Sequence, residues 1–166
     1  MKKNILSVLF LYSAAMYAQN MYIGINLSAE SNISDSNTLC YGVSIEKKLS
    51  NHFGFVSGFD WMNNYHTADN TKINNFSIPV NFKYYSKIVN VTLGPNLVFF
   101  TGWKDLAGKS DIINVEDNNL NINAVFKLSH SILLDSKLEL EPQLIGRYAF
   151  QQANIGLGVG IKYHFY

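Results

Sequence analysis

The sequence predicts an all-β chain that closes as an antiparallel eight-stranded transmembrane up-and-down β-barrel. Three observations predict it. Apolar and polar residues alternate with period two through nearly all of 19–166, the pattern of strands with two unlike faces. The alternating segments reach the roughly 9–11 residues of a tilted membrane strand, against about 5–6 in soluble sheets. The polar face is rich in Gly and Asn, whereas a face kept in water normally carries more charge. Charged residues are only 15% of the 166-residue chain, well below the roughly 25% of soluble domains.

Residues 1–18 read as a signal peptide. Lys2 and Lys3 precede an apolar run from Ile5 to Ala15, the length of a signal h-region and too short to span a bilayer. Cleavage falls after Ala18 or after Ala15. The barrel domain is therefore expected over 19–166. No later stretch approaches the ~18 continuous apolar residues of a membrane helix, so entry into a membrane has to be by strands.

The strands follow in order. In 21–29, Met21, Ile23, Ile25 and Leu27 alternate with Tyr22, Gly24, Asn26 and Ser28. Leu39, Tyr41, Val43 and Ile45 mark 38–48, and Phe53, Phe55, Phe59 and Trp61 mark 53–62. Phe76, Ile78, Val80, Phe82 and Tyr84 mark 74–85; Val91, Leu93, Pro95, Leu97 and Phe99 mark 89–101. Leu120, Ile122, Ala124, Phe126 and Leu128 mark 118–128, and Leu138, Leu140, Leu144 and Tyr148 mark 137–149. The last, 154–165, is the cleanest: Ile155, Leu157, Val159, Ile161, Tyr163 and Phe165 interleave with Asn154, Gly156, Gly158, Gly160, Lys162 and His164. Pro79, Pro95 and Pro142 sit inside these strands and require local breaks, since proline cannot donate to a ladder. Long connections are expected at 30–37, 63–73, 102–117 and 150–153, and short ones at 49–52, 86–88 and 129–136, with both termini at the short-turn end.

Two closed structures fit such alternation. A soluble lipocalin-like barrel carries its apolar face inside, around a hydrophobic ligand; a membrane barrel carries it outside, against lipid. The polar face favours the second. It bears Glu46, Asp60, Lys83, Lys127, Glu139, Glu141, Arg147 and Lys162, nearly balanced in sign, as charges must be when they pair in a low-dielectric interior. A filled lumen also needs small residues where the wall crowds, and Gly156, Gly158 and Gly160 supply them. Glu139 and Glu141 share a face and would repel, so Lys83, Lys127 or Arg147 is expected beside them. Trp61, Tyr84, Trp103, Tyr148, Tyr163 and Phe165 fall near strand ends, where an aromatic girdle meets the headgroups.

The segment Phe76-Ser77-Ile78-Pro79-Val80-Asn81-Phe82-Lys83-Tyr84-Tyr85, followed by Leu93-Gly94-Pro95-Asn96-Leu97 and the closing Gly158-Val159-Gly160-Ile161-Lys162-Tyr163-His164-Phe165-Tyr166, resembles the PorT-like outer-membrane β-barrels of Bacteroidota. The resemblance implies a place in the bacterial outer membrane, contact with its lipid, and insertion by the barrel-assembly machinery. It implies an architecture rather than a reaction. Tyr166 departs from the family's terminal pattern, because the last apolar-face aromatic is Phe165.

Chemistry is sparse. A net charge of +1 gives no basic surface for nucleic acid. Cys40, the single cysteine, excludes an intrachain disulfide and reads as a small buried side chain. His52, His66, His130 and His164 show no metal-ligand spacing. His66, Asp69 and a serine from 31–36 share one end of the barrel, an arrangement similar to the lipid A palmitoyltransferase, but that enzyme's amphipathic N-terminal helix has no counterpart here. The expectation is a monomer without enzymatic activity or cofactor, with a plugged lumen rather than a narrow pore, and a structural or loop-mediated binding role toward an external ligand.

Overall fold

The computed structural model describes residues 20–32, 36–66, 70–105, 120–149 and 152–165, of which 103–105 and 149 are described by their backbone alone. Its elements are β1 Met21–Asn32, β2 Ser36–Lys48, β3 Phe53–His66, β4 Thr71–Tyr84, β5 Asn90–Asp105, β6 Leu120–Ser129, the two-residue β7 Ile132–Leu133, β8 Leu138–Ala149 and β9 Gln152–Phe165. Every pairing is antiparallel between neighbours along the chain, with β1 closing on β9 from Met21↔Phe165 to Asn32↔Asn154. β6 pairs with β8 from Ala124↔Tyr148 to Ser129↔Gln143.

β7 is the continuation of β6. Ile132 lies opposite Leu140 in the same register that sets Ser129 opposite Gln143. The two rungs lost between them fall at Glu141 and Pro142, and Pro142 has no N–H to donate; its carbonyl still accepts from His130 N at 3.2 Å. The barrel is thus eight-stranded, and the connection expected over 129–136 narrows to a turn over 134–137. The other prolines act alike. The β3–β4 ladder skips the rungs opposite Ile78 and Pro79, and the β4–β5 ladder skips those opposite Gly94 and Pro95, with register kept on both sides. A bulge at Thr101, whose Oγ1 donates to the Asn74 carbonyl at 2.7 Å, is the one register shift in that ladder.

The strands run further than the alternation suggests. β1 continues to Asn32, β3 to His66, and β5 to Asp105, while β2 starts at Ser36 and β4 at Thr71. Much of the expected connections 30–37 and 63–73, and the first four residues of 102–117, is therefore barrel wall. Polar residues on both faces made these stretches look like loops. At the end that holds the termini, serines close the turns: Ser50 Oγ accepts from Phe53 N at 3.0 Å, and Ser86 Oγ accepts from Val89 N at 3.0 Å.

The burial is inverted. Ile25, Ile122 and Leu157 are 60%, 67% and 70% exposed, while Lys83, Glu141 and Arg147 are 2%, 2% and 4% exposed. An apolar belt facing outward over a charged interior is the arrangement a bilayer selects, and it overturns the soluble carrier with an apolar cavity. Across the belt Phe59, Phe76 and Phe99 stack from strand to strand at 5.3 and 4.6 Å.

Lumenal glycines let the wall approach its own side chains. A Cβ on Gly42 would strike the Phe59 carbonyl and the Asp60 carboxylate, and one on Gly156 would strike the Ala29 carbonyl and Glu30. Gly146 faces lipid and has only a distant neighbour at 3.9 Å. Gly156→Val is expected to destabilise the barrel by about 1–3 kcal/mol or more through overpacking, and Gly146→Ala to stay within about 0.5 kcal/mol. Urea unfolding in lipid vesicles reads both.

Candidate functional site: the charged lumen

The lumen charges form two groups. Near the terminal end, four side chains close a ring. Lys83 Nζ donates to Glu46 Oε2 at 3.1 Å and to Glu141. Lys162 Nζ donates to Glu46 Oε2 at 2.6 Å and to Glu141. The carboxylates take further donors: Tyr85 Oη reaches Glu46 Oε1 at 2.7 Å, and Ser129 Oγ reaches Glu141 Oε1 at 2.7 Å. Two cations and two anions make the ring neutral. Every member is almost wholly buried, the condition under which burying charge is tolerable. The space left around it is about 30 Å³, room for about one water.

Toward the far end, Arg147 clasps Glu30 as a fork, with Nε to Oε2 and Nη2 to Oε1 both at 2.9 Å. Gly156, opposite Glu30 in the β1–β9 ladder, leaves the room that this carboxylate occupies. The lumen is partly apolar as well: Cys40, Val125 and Ile145 are buried inward, and Met62 and Val98 are buried in its far half.

Of the expected charges, Glu46, Lys83, Glu141 and Lys162 are brought into one ring. Arg147 joins a separate pair. Asp60 is buried above Gly42, and Lys127 is half-buried on the lumenal side. Glu139 lies outside the ring: half-buried, it accepts from Ser131 Oγ at 2.6 Å. Lys83 does stand beside a carboxylate of β8, but that carboxylate is Glu141 alone. Two members were missed, Glu30 and Tyr85. Glu30 continues the polar series Tyr22, Gly24, Asn26, Ser28, and one more period would have found it. Tyr85 closes the expected strand 74–85 in the inward phase of Asn81 and Lys83, and it escapes notice because its side chain is aromatic where that face is otherwise polar.

The girdle residues divide similarly. Tyr84 packs on Phe53 at 5.5 Å, and Tyr163 meets Phe165 edge-on at 5.0 Å, all four exposed at the terminal end. Tyr148 is exposed near the far end. Trp61 is instead well inside β3, opposite Tyr41 and Phe76, because β3 runs on to His66. The Trp103 side chain lies outside the described residues, as do Tyr166, Asp69 and the signal segment. Ser36 and His66 are cross-strand partners. His164 stacks on Tyr22 at 4.3 Å.

Ala substitution of Glu141 leaves two buried ammonium groups sharing one carboxylate. A loss of about 3–5 kcal/mol in unfolding free energy is expected. Replacing Glu141 and Lys83 together by leucine restores neutrality and should cost clearly less than the sum of the two single changes; the double-mutant cycle in urea measures it.

No protein family matches the sequence, and no curated protein does. Solved structures do. The chain is similar to Neisserial surface protein A at 14% identity and a TM-score of 0.60, covering 89% of this chain and 98% of that one. It is similar to the N-terminal β-barrel domain of Pseudomonas aeruginosa OprF at 14% identity and 0.55, with the same coverage. It is similar to Ail, the attachment invasion locus protein of Yersinia pestis, at 10% identity and 0.54, covering 87% and 96%. With its register, closure and inverted burial, the chain has the fold of the eight-stranded outer-membrane β-barrels.

Proposed function

We propose that the protein is an integral β-barrel of a bacterial outer membrane, with a plugged polar lumen and a structural or adhesive role in the cell envelope. The observation that carries this reading is the inversion of burial around a neutral charged ring with about 30 Å³ to spare. An apolar outer belt demands lipid, and a lumen closed by paired charges does not conduct. The far end, which carries the long connection 106–119 between β5 and β6, faces outward, and both termini face the periplasm. The barrel is a monomer inserted by the barrel-assembly machinery, and no reaction or cofactor is assigned to it.

Two features support the finer placement among PorT-like barrels of Bacteroidota. The segment that carries the resemblance holds Pro79 at a skipped rung and Lys83 in the ring. The closing segment contributes Lys162 to the same ring. The binding role is supported by Ail, whose name describes attachment.

Cell fractionation with gels of boiled and unboiled samples tests the reading. The mature protein is expected in the outer-membrane fraction, migrating differently before and after boiling. Reconstituted in planar bilayers, it should show no steady conductance. A soluble product without a gel shift would overturn the membrane assignment, and steady conductance would overturn the plug.

A further inference from the structure

The far half of the lumen is not filled like the half around the ring. A chamber of about 270 Å³ opens there, walled by the far ends of β2, β3, β4, β5, β6, β8 and β9. This is just below the roughly 300–1,000 Å³ usual for small-molecule sites. Arg147 is at its base. Glu30 holds Nε and Nη2 of the guanidinium, and Nη1 is buried with no hydrogen-bond partner. The carbonyl oxygens of Asn123 and Asn154, also on the wall, are buried and unpartnered as well. Buried polar groups normally find partners, so one donor and two acceptors held ready around one space define what the space would take.

The charge and shape narrow it. Glu30 already neutralises Arg147, so the chamber offers the two N–H groups of Nη1 rather than a free cation, and an anion would find only part of the compensation it needs. Hydroxyl groups suit the set better, because each both donates and accepts. Met62 and Phe100 give one wall an apolar surface, against which the C–H face of a ring can lie. We propose that this chamber binds a neutral, hydroxyl-rich solute the size of one sugar ring, either free or as the end of a glycan. The proposal rests on the reading of the far end as the outward end and deepens its binding role, moving it from the loops into the barrel wall.

The test is a titration of the full mature protein, refolded in lauryldimethylamine oxide so that no detergent sugar competes, and shown to be folded by its unboiled gel migration. That migration tests the barrel separately from the ligand. Glucose, galactose and mannose are the probes, read by NMR shifts of the Asn123 and Asn154 side-chain amides and the Arg147 guanidinium. Saturable shifts at millimolar sugar are expected, with at least a tenfold loss of affinity in Asn121→Trp, which fills the chamber. If that variant does not fold, Asn75→Leu serves in its place. Maltotriose binding as well as glucose points to a glycan end, and weaker binding points to a free sugar. No saturable shift, shifts that survive the filling substitution, or tighter binding of glucuronate or inorganic phosphate than of the neutral sugars would overturn the proposal.

Discussion

In hydrocarbon no water is at hand to satisfy a backbone N–H or C=O, and that single constraint shapes the whole molecule. A sheet can meet it only by closing on itself. The β1–β9 ladder runs the full length of β1 and joins the ends of the sheet, while β6 with its continuation β7 pairs β8 as a hairpin. Where proline interrupts pairing, the ladder skips two rungs and resumes in register, so the wall keeps its continuity.

Closure then creates a second demand. Eight strands leave an interior wide enough for side chains and little else. The side chains there alternate with lipid-facing residues, so they are polar and have to satisfy one another. The protein meets this with a neutral four-charge ring and a forked Arg147–Glu30 pair. Glycines on facing strands recede where these long side chains need room. Charge pairing and glycine placement are one design: Glu30 could not sit beside Arg147 if position 156 carried a side chain.

Much of this was legible in the sequence, and the reasons are local. Period-two alternation gives strand identity and face directly, so the eight strands and their polar side follow from positions such as Ile155 to Phe165. Partnership is a different kind of information. Lys83 and Glu141 lie 58 positions apart, and only register brings them together. Alternation therefore nominates the charges without saying that Glu139 stays out of the ring or that Arg147 turns to Glu30. It also fails at the far rim, where wall residues such as Asn63, Asn64 and His66 have loop-like composition. There both faces of the strand leave the apolar belt, so the outward positions no longer need to be hydrophobic.

The β1–β9 ladder has a consequence for how the molecule comes into being. Its two strands are the first and last of the barrel, so the longest separation in the chain is bridged by a complete hydrogen-bonded seam. Such non-local pairing is slow, because the loop-closure entropy is spent before any contact repays it. Until the final residues arrive, β1 presents a bare edge ready to accept any strand, including one from a neighbouring chain. The chain carries that open edge through every step that precedes closure. Keeping it apart from its own copies is therefore a demand written into the topology, quite apart from anything the finished barrel does.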